Sequence, residues 1–305
     1  MALTAAHNRL TATLGGTVRR DEPLARHTTY RIGGPCDLFV VADTLRDLAS
    51  TISVLAEEGI EWTLLGKGSN VLAADSGYRG AVIVLGRDFR RHDVDEGKMT
   101  AGAGVVLGHI VQEAYSKGLS GLEFAVGVPG TLGGALAMNA GSRDEWIGSI
   151  VESVTIYVPG AGLVRLRASD IQWGYRSSSI PSAGVAVECV LSLVPGDTTR
   201  IRNTMDGSLS RRKTSQPLGM PSAGSVFVNP PNDSAGRLIE ASGLKGHQLG
   251  GAAVSDVHAN FIVNTGGACA ADVLGLMHLI RDRVRDTFGV DLRPEVRFLG
   301  SFNES

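Results

Sequence analysis

Three glycine-rich segments are where this sequence combines bare backbone with cations and hydroxyls. The first, Gly66-Lys67-Gly68-Ser69-Asn70, follows an apolar run over 62–65. A P-loop has the form G-x-x-x-x-G-K-[ST]. Here Glu61 stands where the first glycine belongs and Gly68 where the hydroxyl belongs, so the segment is not a P-loop. Two readings stay open for it: a nest of backbone N–H groups that cradles an anion, or a tight structural turn. The second segment, Gly102-Ala103-Gly104 with Gly108, is spaced G-x-G-x-x-x-G. No clean second strand ending in an acid follows it, so it departs from the dinucleotide fingerprint and reads as a strand ending in a turn. The third covers 127–141, where Pro129-Gly130 shapes a turn and small residues let a helix lie close to another body. Amides at a helix start attract phosphate. One such loop says little, but two, each after an apolar segment, fit the pyrophosphate spine of a dinucleotide.

The rest of the composition narrows the class. The 305 residues hold 40 glycines, clustered rather than periodic, which excludes a collagen-like repeat. With 43% hydrophobic and 20% charged residues the chain is globular, with length for about two domains. A formal net charge of −2 gives no bulk attraction to nucleic acid or anionic membrane; only the local basic runs Arg90-Arg91 and Arg211-Arg212-Lys213 offer anion contacts. Cys36, Cys189 and Cys269 are odd in number, far apart and in no C-x-x-C spacing. That argues against a disulfide framework or a metal site and for a reducing compartment. The opening MALTAAHNRL lacks the basic-then-apolar run of a signal peptide, and no stretch approaches the ~20 apolar residues of a membrane helix. The expectation is a cytoplasmic protein acting on small molecules, with no metal, nucleic acid or membrane partner and nothing that calls for an oligomer.

The elements that must position these loops follow from periodicity. A short lead helix and a connector occupy 1–29. Strands are predicted over 37–41, 62–65, 81–85, 98–101, 151–158, 162–167 and 185–194. Helices are predicted over 45–58, with Asp43 or Thr44 as N-cap, and over 105–117. Pro195-Gly196-Asp197 marks a boundary, after which helices are predicted over about 198–212, 234–241 and 270–288, and strands over 261–264 and 295–299.

Eight segments then carry a resemblance. In order they are HTTYRIGGP (27–35), LGKGSN (65–70), GLEFAVGVPGTLGGALAMNAG (121–141), GYRSSS (174–179), PSAGSVFVNP (221–230), GLKG (243–246), HANFIVN (258–264) and RPEVRFLG (293–300). Together the chain resembles the UDP-N-acetylenolpyruvoylglucosamine reductase family, in the form lacking a tyrosine-bearing lid, since no aromatic residue lies between Arg176 and Phe227. The resemblance implies an α+β fold. An FAD-binding domain of the vanillyl-alcohol-oxidase type covers 1–196, in two subdomains near 20–86 and 87–196, and a smaller substrate-binding domain covers 197–305. It implies FAD and NADPH as cofactors. The implied reaction is reduction of the enolpyruvyl group of UDP-N-acetylglucosamine enolpyruvate to UDP-N-acetylmuramate, in peptidoglycan precursor synthesis.

The resemblance also implies residue roles. Cofactor binding falls to Gly66, Lys67, Gly68, Ser69 and Asn70 of the first cluster and to Gly130, Thr131, Gly133, Gly134, Asn139 and Gly141 of the third, while the second merely turns the chain. Hydride addition to an electron-poor alkene builds negative charge on the adjacent carbon and its carboxylate, so the protein must supply a cation and an acid. Arg176 matches the cation, with a fork that grips a carboxylate in two places. Ser225 matches the proton donor and Glu295 the catalytic glutamate. By position alone these are a surface arginine, a small residue in a turn and a solvated strand residue; the motif match decides between the readings. Tyr175, Asn229, His258 and Arg297 match substrate contacts, with Arg211 or Lys213 near the UDP diphosphate. For His258 a capping or core role stands beside that reading. Two other readings compete: a flavin oxidase that passes electrons to oxygen, and an inactive nucleotide-sugar binder, against which the intact Arg176, Ser225 and Glu295 argue. After Gly141 the run Ser-Arg-Asp-Glu-Trp departs from the small, glycine-containing run of the family.

Overall fold

The structure, a computed structural model, describes residues 1–142 and 144–302. The chain divides into two compact units. One gathers Met1–Arg20, Leu38–Gly66 and Gly80–Ser210; the other gathers Asp21–Asp37, Lys67–Arg79 and the chain from Arg211 onward.

Two sheets lie mainly in the first unit. One has the strand order Val18–Pro23, Pro35–Ala42, Tyr78–Leu85, Trp62–Leu64, and its last pair is parallel with Trp62 opposite Ala81. Its strands bury Leu38, Val40 and Ile83 with Leu48 and Leu55 of helix Leu45–Glu57 and Leu10 of helix Ala2–Thr13. Helix Leu45–Glu57 starts where the sequence offers a cap: the Thr44 hydroxyl accepts from the Asp47 amide and the Asp47 carboxylate accepts from the Thr44 amide. The other sheet is antiparallel, ordered Gly162–Arg167, Val151–Val158, Val185–Ser192, Lys98–Gly102, His92–Asp95. Val154 and Leu191 from this sheet share a core with Ile110 of helix Leu107–Ser116 and Leu132 and Leu136 of the short helix Leu132–Ala137.

The second unit is organised on helix Ala270–Phe288. Its inward face, Val273, Leu276, Met277 and Ile280, packs with Tyr30, Leu72, Phe227 and Leu238. A three-stranded antiparallel sheet (Gln248–Leu249, Ala252–Val254, Ile262–Asn264) and a parallel pair (Val71–Ala73 with Arg297–Leu299) complete it. The Asp75 carboxylate accepts from the Ala270 and Ala271 amides at 2.8 and 3.0 Å, capping the long helix from outside its own sequence.

Several elements differ from the sequence expectation. Val18–Pro23 is a strand rather than a connector: its polar run VRRDEP lies at a sheet edge, where charged residues blunt unwanted pairing. Residues 21–37 and 67–79 cluster with the C-terminal part because Tyr30, Ile32 and Leu72 are buried in its core. Helix Thr198–Ser215 begins at the expected boundary, but its start belongs to the first unit, where Ile201 and Met205 are buried. The last strand starts at Arg297 rather than 295, because 293–295 pairs with 226–228 and the chain bends at Val296 before it pairs with Val71–Ala73. Glu295 and Arg297 therefore do not alternate along one strand face.

Candidate functional site

In the first unit the glycine clusters are knit together by backbone. Thr131 caps helix Leu132–Ala137 by accepting from the Gly134 amide. The Leu132 and Gly133 amides donate to the Val105 and Ala103 carbonyls at 2.9 and 2.8 Å, and the Leu107 amide donates to Gly130. The second cluster is thus more than a turn; it is the hydrogen-bonded backing of the third. These helix-start amides are spent inside the protein, so what the cluster presents is uncluttered backbone at exposed Gly134 rather than a row of free donors. The first cluster meets the third at its opening residue: a Cβ on Gly66 would lie 2.6 Å from Thr131 Oγ1.

Tyr175 and Arg176 form the tip of a tight hairpin in which Trp173 pairs with Ser178 and Gly174 with Ser177. Arg176 takes a left-handed φ of 57°. Its Nη1 donates to the Gly141 carbonyl at 2.7 Å and its guanidinium lies 5.1 Å from the centre of the exposed Tyr175 ring. Asn139, also left-handed and buried, donates from Nδ2 to the Gly174 carbonyl (3.0 Å) and accepts at Oδ1 from the Gly148 amide (3.1 Å). The structure therefore brings Asn139 and Gly141 to Tyr175 and Arg176.

In the second unit the remaining sequence candidates gather around an irregular segment, 221–228. Val226 donates to the Asn260 carbonyl, and the buried Asn260 side chain both accepts from the Phe227 amide (3.0 Å) and donates to the Phe227 carbonyl (2.8 Å). On its other side, the Val226 carbonyl accepts from the Glu295 amide at 2.7 Å and Val228 donates to Arg293. Ser225, half-buried at the start of this stretch after left-handed Gly224, is thus held beside the half-buried Glu295 segment. Among the described residues the Ser225 hydroxyl has no hydrogen-bond partner. Asn70 reaches the same place: its Nδ2 donates to the Glu295 carbonyl (3.1 Å) and its carbonyl accepts from the Arg297 amide (2.9 Å). The Thr29 hydroxyl donates to Ser222 at 2.6 Å, and the Thr29 amide donates to the Gly68 carbonyl.

The other substrate candidates have local duties. Asn229, exposed, accepts from the Ala235 amide at the start of helix Ala235–Ala241. His258 accepts at Nδ1 from the Asn260 amide (3.1 Å) and tilts against Phe261 at 4.9 Å; burial lowers its pKa, favouring the neutral ring. Arg297 is exposed at the start of its strand, and Arg211 and Lys213 lie in the last turns of helix Thr198–Ser215. Asn260, Asn264 and Thr29 were not singled out from sequence, although each sits in a quoted segment. Their signal was a polar amide or hydroxyl inside an apolar run, a residue type that is buried only when paired. Asn264 donates to the Tyr30 carbonyl and accepts from Gly266 and Ala268.

A flavin dinucleotide fits what the residues offer. The 66–70 loop presents exposed Gly66 and an exposed Lys67 that makes no ion pair among the described residues, a cation for a diphosphate. At Gly68, φ is +60° and a Cβ would lie 2.3 Å from the His27 carbonyl, so only glycine allows this path. Among the described residues no group of three His, Cys, Asp or Glu could hold a metal ion, and no helix is long and apolar enough to cross a membrane.

Known proteins resemble this chain along nearly its whole length. Residues 36–165 match the FAD binding domain family and residues 216–299 match the family described as UDP-N-acetylenolpyruvoylglucosamine reductase, C-terminal domain. A UDP-N-acetylenolpyruvoylglucosamine reductase of Heliobacterium modesticaldum is 45% identical over 293 residues, spanning 95% of this chain and 93% of its own. One from Anaeromyxobacter sp. is 44% identical over 289 residues, 94% of this chain and 90% of its own. The crystal structure of UDP-N-acetylenolpyruvylglucosamine reductase from Thermus caldophilus superposes with a TM-score of 0.82 at 36% identity, covering 93% of this chain and 99% of that one. With an FAD-type domain, a matching C-terminal domain and relatives alike over nearly their whole length, this chain belongs to the UDP-N-acetylenolpyruvoylglucosamine reductase family.

Proposed function

We propose that this protein is the FAD-dependent, NADPH-consuming reductase that converts UDP-N-acetylglucosamine enolpyruvate to UDP-N-acetylmuramate, supplying peptidoglycan synthesis from the cytoplasm. The observation that carries the reading is the direct backbone pairing of the Ser225 segment with the Glu295 segment, through the 2.7 Å bond from the Glu295 amide to Val226. That pairing joins the main chain of the two segments, which supports a hydroxyl and a carboxyl group acting on one substrate carbanion.

FAD, when bound, supplies the terminal carbon of the alkene with a hydride drawn from NADPH. In this reading Gly66, Lys67, Gly68, Ser69 and Asn70, with Gly130, Thr131, Gly133 and Gly134, hold the cofactor through backbone and one ammonium group. Asn139 and Gly141 are set apart, their polar groups being spent on Gly174 and Arg176. The Arg176 guanidinium grips the substrate carboxylate and balances the charge that spreads into it. Ser225 Oγ–H gives its proton to the carbon next to that carboxylate, so the double bond gains one hydride and one proton. Glu295 hydrogen-bonds the enolate-like oxygen or restores the Ser225 proton. Tyr175, Asn229 and Arg297 line the sugar nucleotide, and Arg211 or Lys213 meets its diphosphate.

The test is a steady-state assay on the yellow holoprotein. NADPH oxidation that depends on the enolpyruvyl sugar, with product two hydrogens heavier than substrate, is the expected result. Oxidation that proceeds at the same rate with oxygen alone would replace the reductase reading with an oxidase.

A further inference from the structure

Six non-glycine residues of the described chain have positive φ, and two of them belong to one hydrogen-bonded assembly: Asn139 (43°) and Arg176 (57°). Left-handed backbone is unfavourable for a residue with a side chain, and it persists where the surroundings over-determine it. Here they do. Asn139 is 7% exposed, and its amide is fixed at both ends by main chain, donating to Gly174 and accepting from Gly148. Gly174 is the residue immediately before the Tyr175-Arg176 tip. Two residues after Asn139, the Gly141 carbonyl takes a 2.7 Å bond from Arg176 Nη1. The 139–141 segment thus grips the hairpin twice, once at the backbone below the tip and once at the guanidinium itself. The second anchor of Asn139 is crowded as well: a Cβ on Gly148 would lie 2.6 Å from the Trp173 ring and 2.9 Å from Asn139 Oδ1, so no larger residue fits there.

From this we infer that Asn139 is a positioning residue for Arg176 rather than a ligand of the cofactor. Its carboxamide fixes the height and direction of the hairpin tip, and with it the orientation of the guanidinium, one end of which is committed to Gly141. This rests on the carboxylate-binding reading of Arg176.

The test uses the FAD-loaded enzyme and two variants. Asn139→Gly removes both side-chain bonds while glycine keeps the left-handed backbone without strain. Asn139→Asp keeps the acceptor for Gly148 and sets an oxygen against the Gly174 carbonyl. Both are expected to bind FAD with the wild-type affinity and flavin spectrum, and to be reduced by NADPH within about twofold of the wild-type rate, while reoxidation by the enolpyruvyl sugar falls by at least about tenfold. In an Arg176→Lys background, Asn139→Gly is expected to add less than about twofold, since residues acting through one another are not additive. Weakened FAD binding or equally slowed NADPH reduction would make Asn139 a cofactor or folding residue and overturn the inference. A full multiplicative loss on top of a substantial Arg176→Lys defect overturns it too, while leaving the role of Arg176 standing. A silent Arg176→Lys alongside a slow Asn139→Gly removes the role of Arg176 and the inference with it. If Asn139→Gly does not fold, Asn139→Asp decides by the same measurements.

Discussion

A carboxamide carries donors and an acceptor in one plane, and four asparagines here spend theirs on main chain: Asn70 on Glu295, Asn139 on Gly174 and Gly148, Asn260 on Phe227, Asn264 on Tyr30. Asn70, Asn139 and Asn260 stand outside the strand ladders, while Asn264 ends the strand Ile262–Asn264. Ser225, by contrast, has no hydrogen-bond partner for its hydroxyl among the described residues. Ser225→Ala is expected to leave flavin reduction by NADPH nearly intact and to slow reoxidation by the enolpyruvyl sugar by ~10²–10⁴-fold, the usual worth of a general acid. Stopped-flow absorbance of the two half-reactions checks it, and a loss in reoxidation below about tenfold removes Ser225 from that role. His258 gives a pH effect. Its folded pKa is lowered by burial, so the unfolded chain binds the proton better, and its stabilising contribution is present above the ordinary imidazole pKa and lost as pH falls through the folded value. Wild type should lose more melting temperature between pH 7.5 and 5.5 than His258→Asn, which keeps an acceptor for the Asn260 amide but cannot titrate, in scans at about those two pH values.

At the scale of elements, the 221–228 segment is neither helix nor strand, yet it carries Ser225. It is flanked by Asn260 on one side and the 293–295 backbone on the other, which together replace a sheet. Asn260→Ala leaves the Phe227 amide and carbonyl buried without partners, for Phe227 is 1% exposed. The expected cost is about 2–4 kcal/mol in urea unfolding, from two unsatisfied groups. A change under about 0.5 kcal/mol, the range of ordinary surface substitutions, would mean that water replaces the side chain there. Regular elements were legible in the sequence because one face of each is apolar at a fixed period: 151–158, 162–167 and 270–288 were placed to the residue. Val18–Pro23 was not, since a polar edge strand has no such face. The Glu295 stretch has the alternation of a strand but lies outside one, because alternation does not record that 293–295 pairs with 226–228 and that the chain bends at Val296.

For the whole molecule, cofactor binding should be read out in stability. A ligand that binds only the folded state stabilises it by RT ln(1 + [L]/Kd), about 2.7 kcal/mol at 100 times Kd. Stripping FAD should therefore lower the melting temperature by several degrees, and titrating FAD back should restore it in proportion to the logarithm of its concentration; a melting temperature indifferent to FAD would deny the fit of the glycine loops. The sequence by itself determined the class of chemistry, because the resemblance to the reductase family is carried by eight short segments, each local in the chain, from HTTYRIGGP (27–35) to RPEVRFLG (293–300). It also determined most helices and strands, since their signal is short-range periodicity. Only the tertiary structure decided that residues 21–37 and 67–79 share a core with the C-terminal part, that the Leu132–Ala137 helix start faces its own protein, and that Asn139 and Asn260 serve the main chain. Those facts depend on which buried polar groups and apolar faces meet across long stretches of sequence. Partners of that kind are chosen by packing, and no local pattern of residues records them.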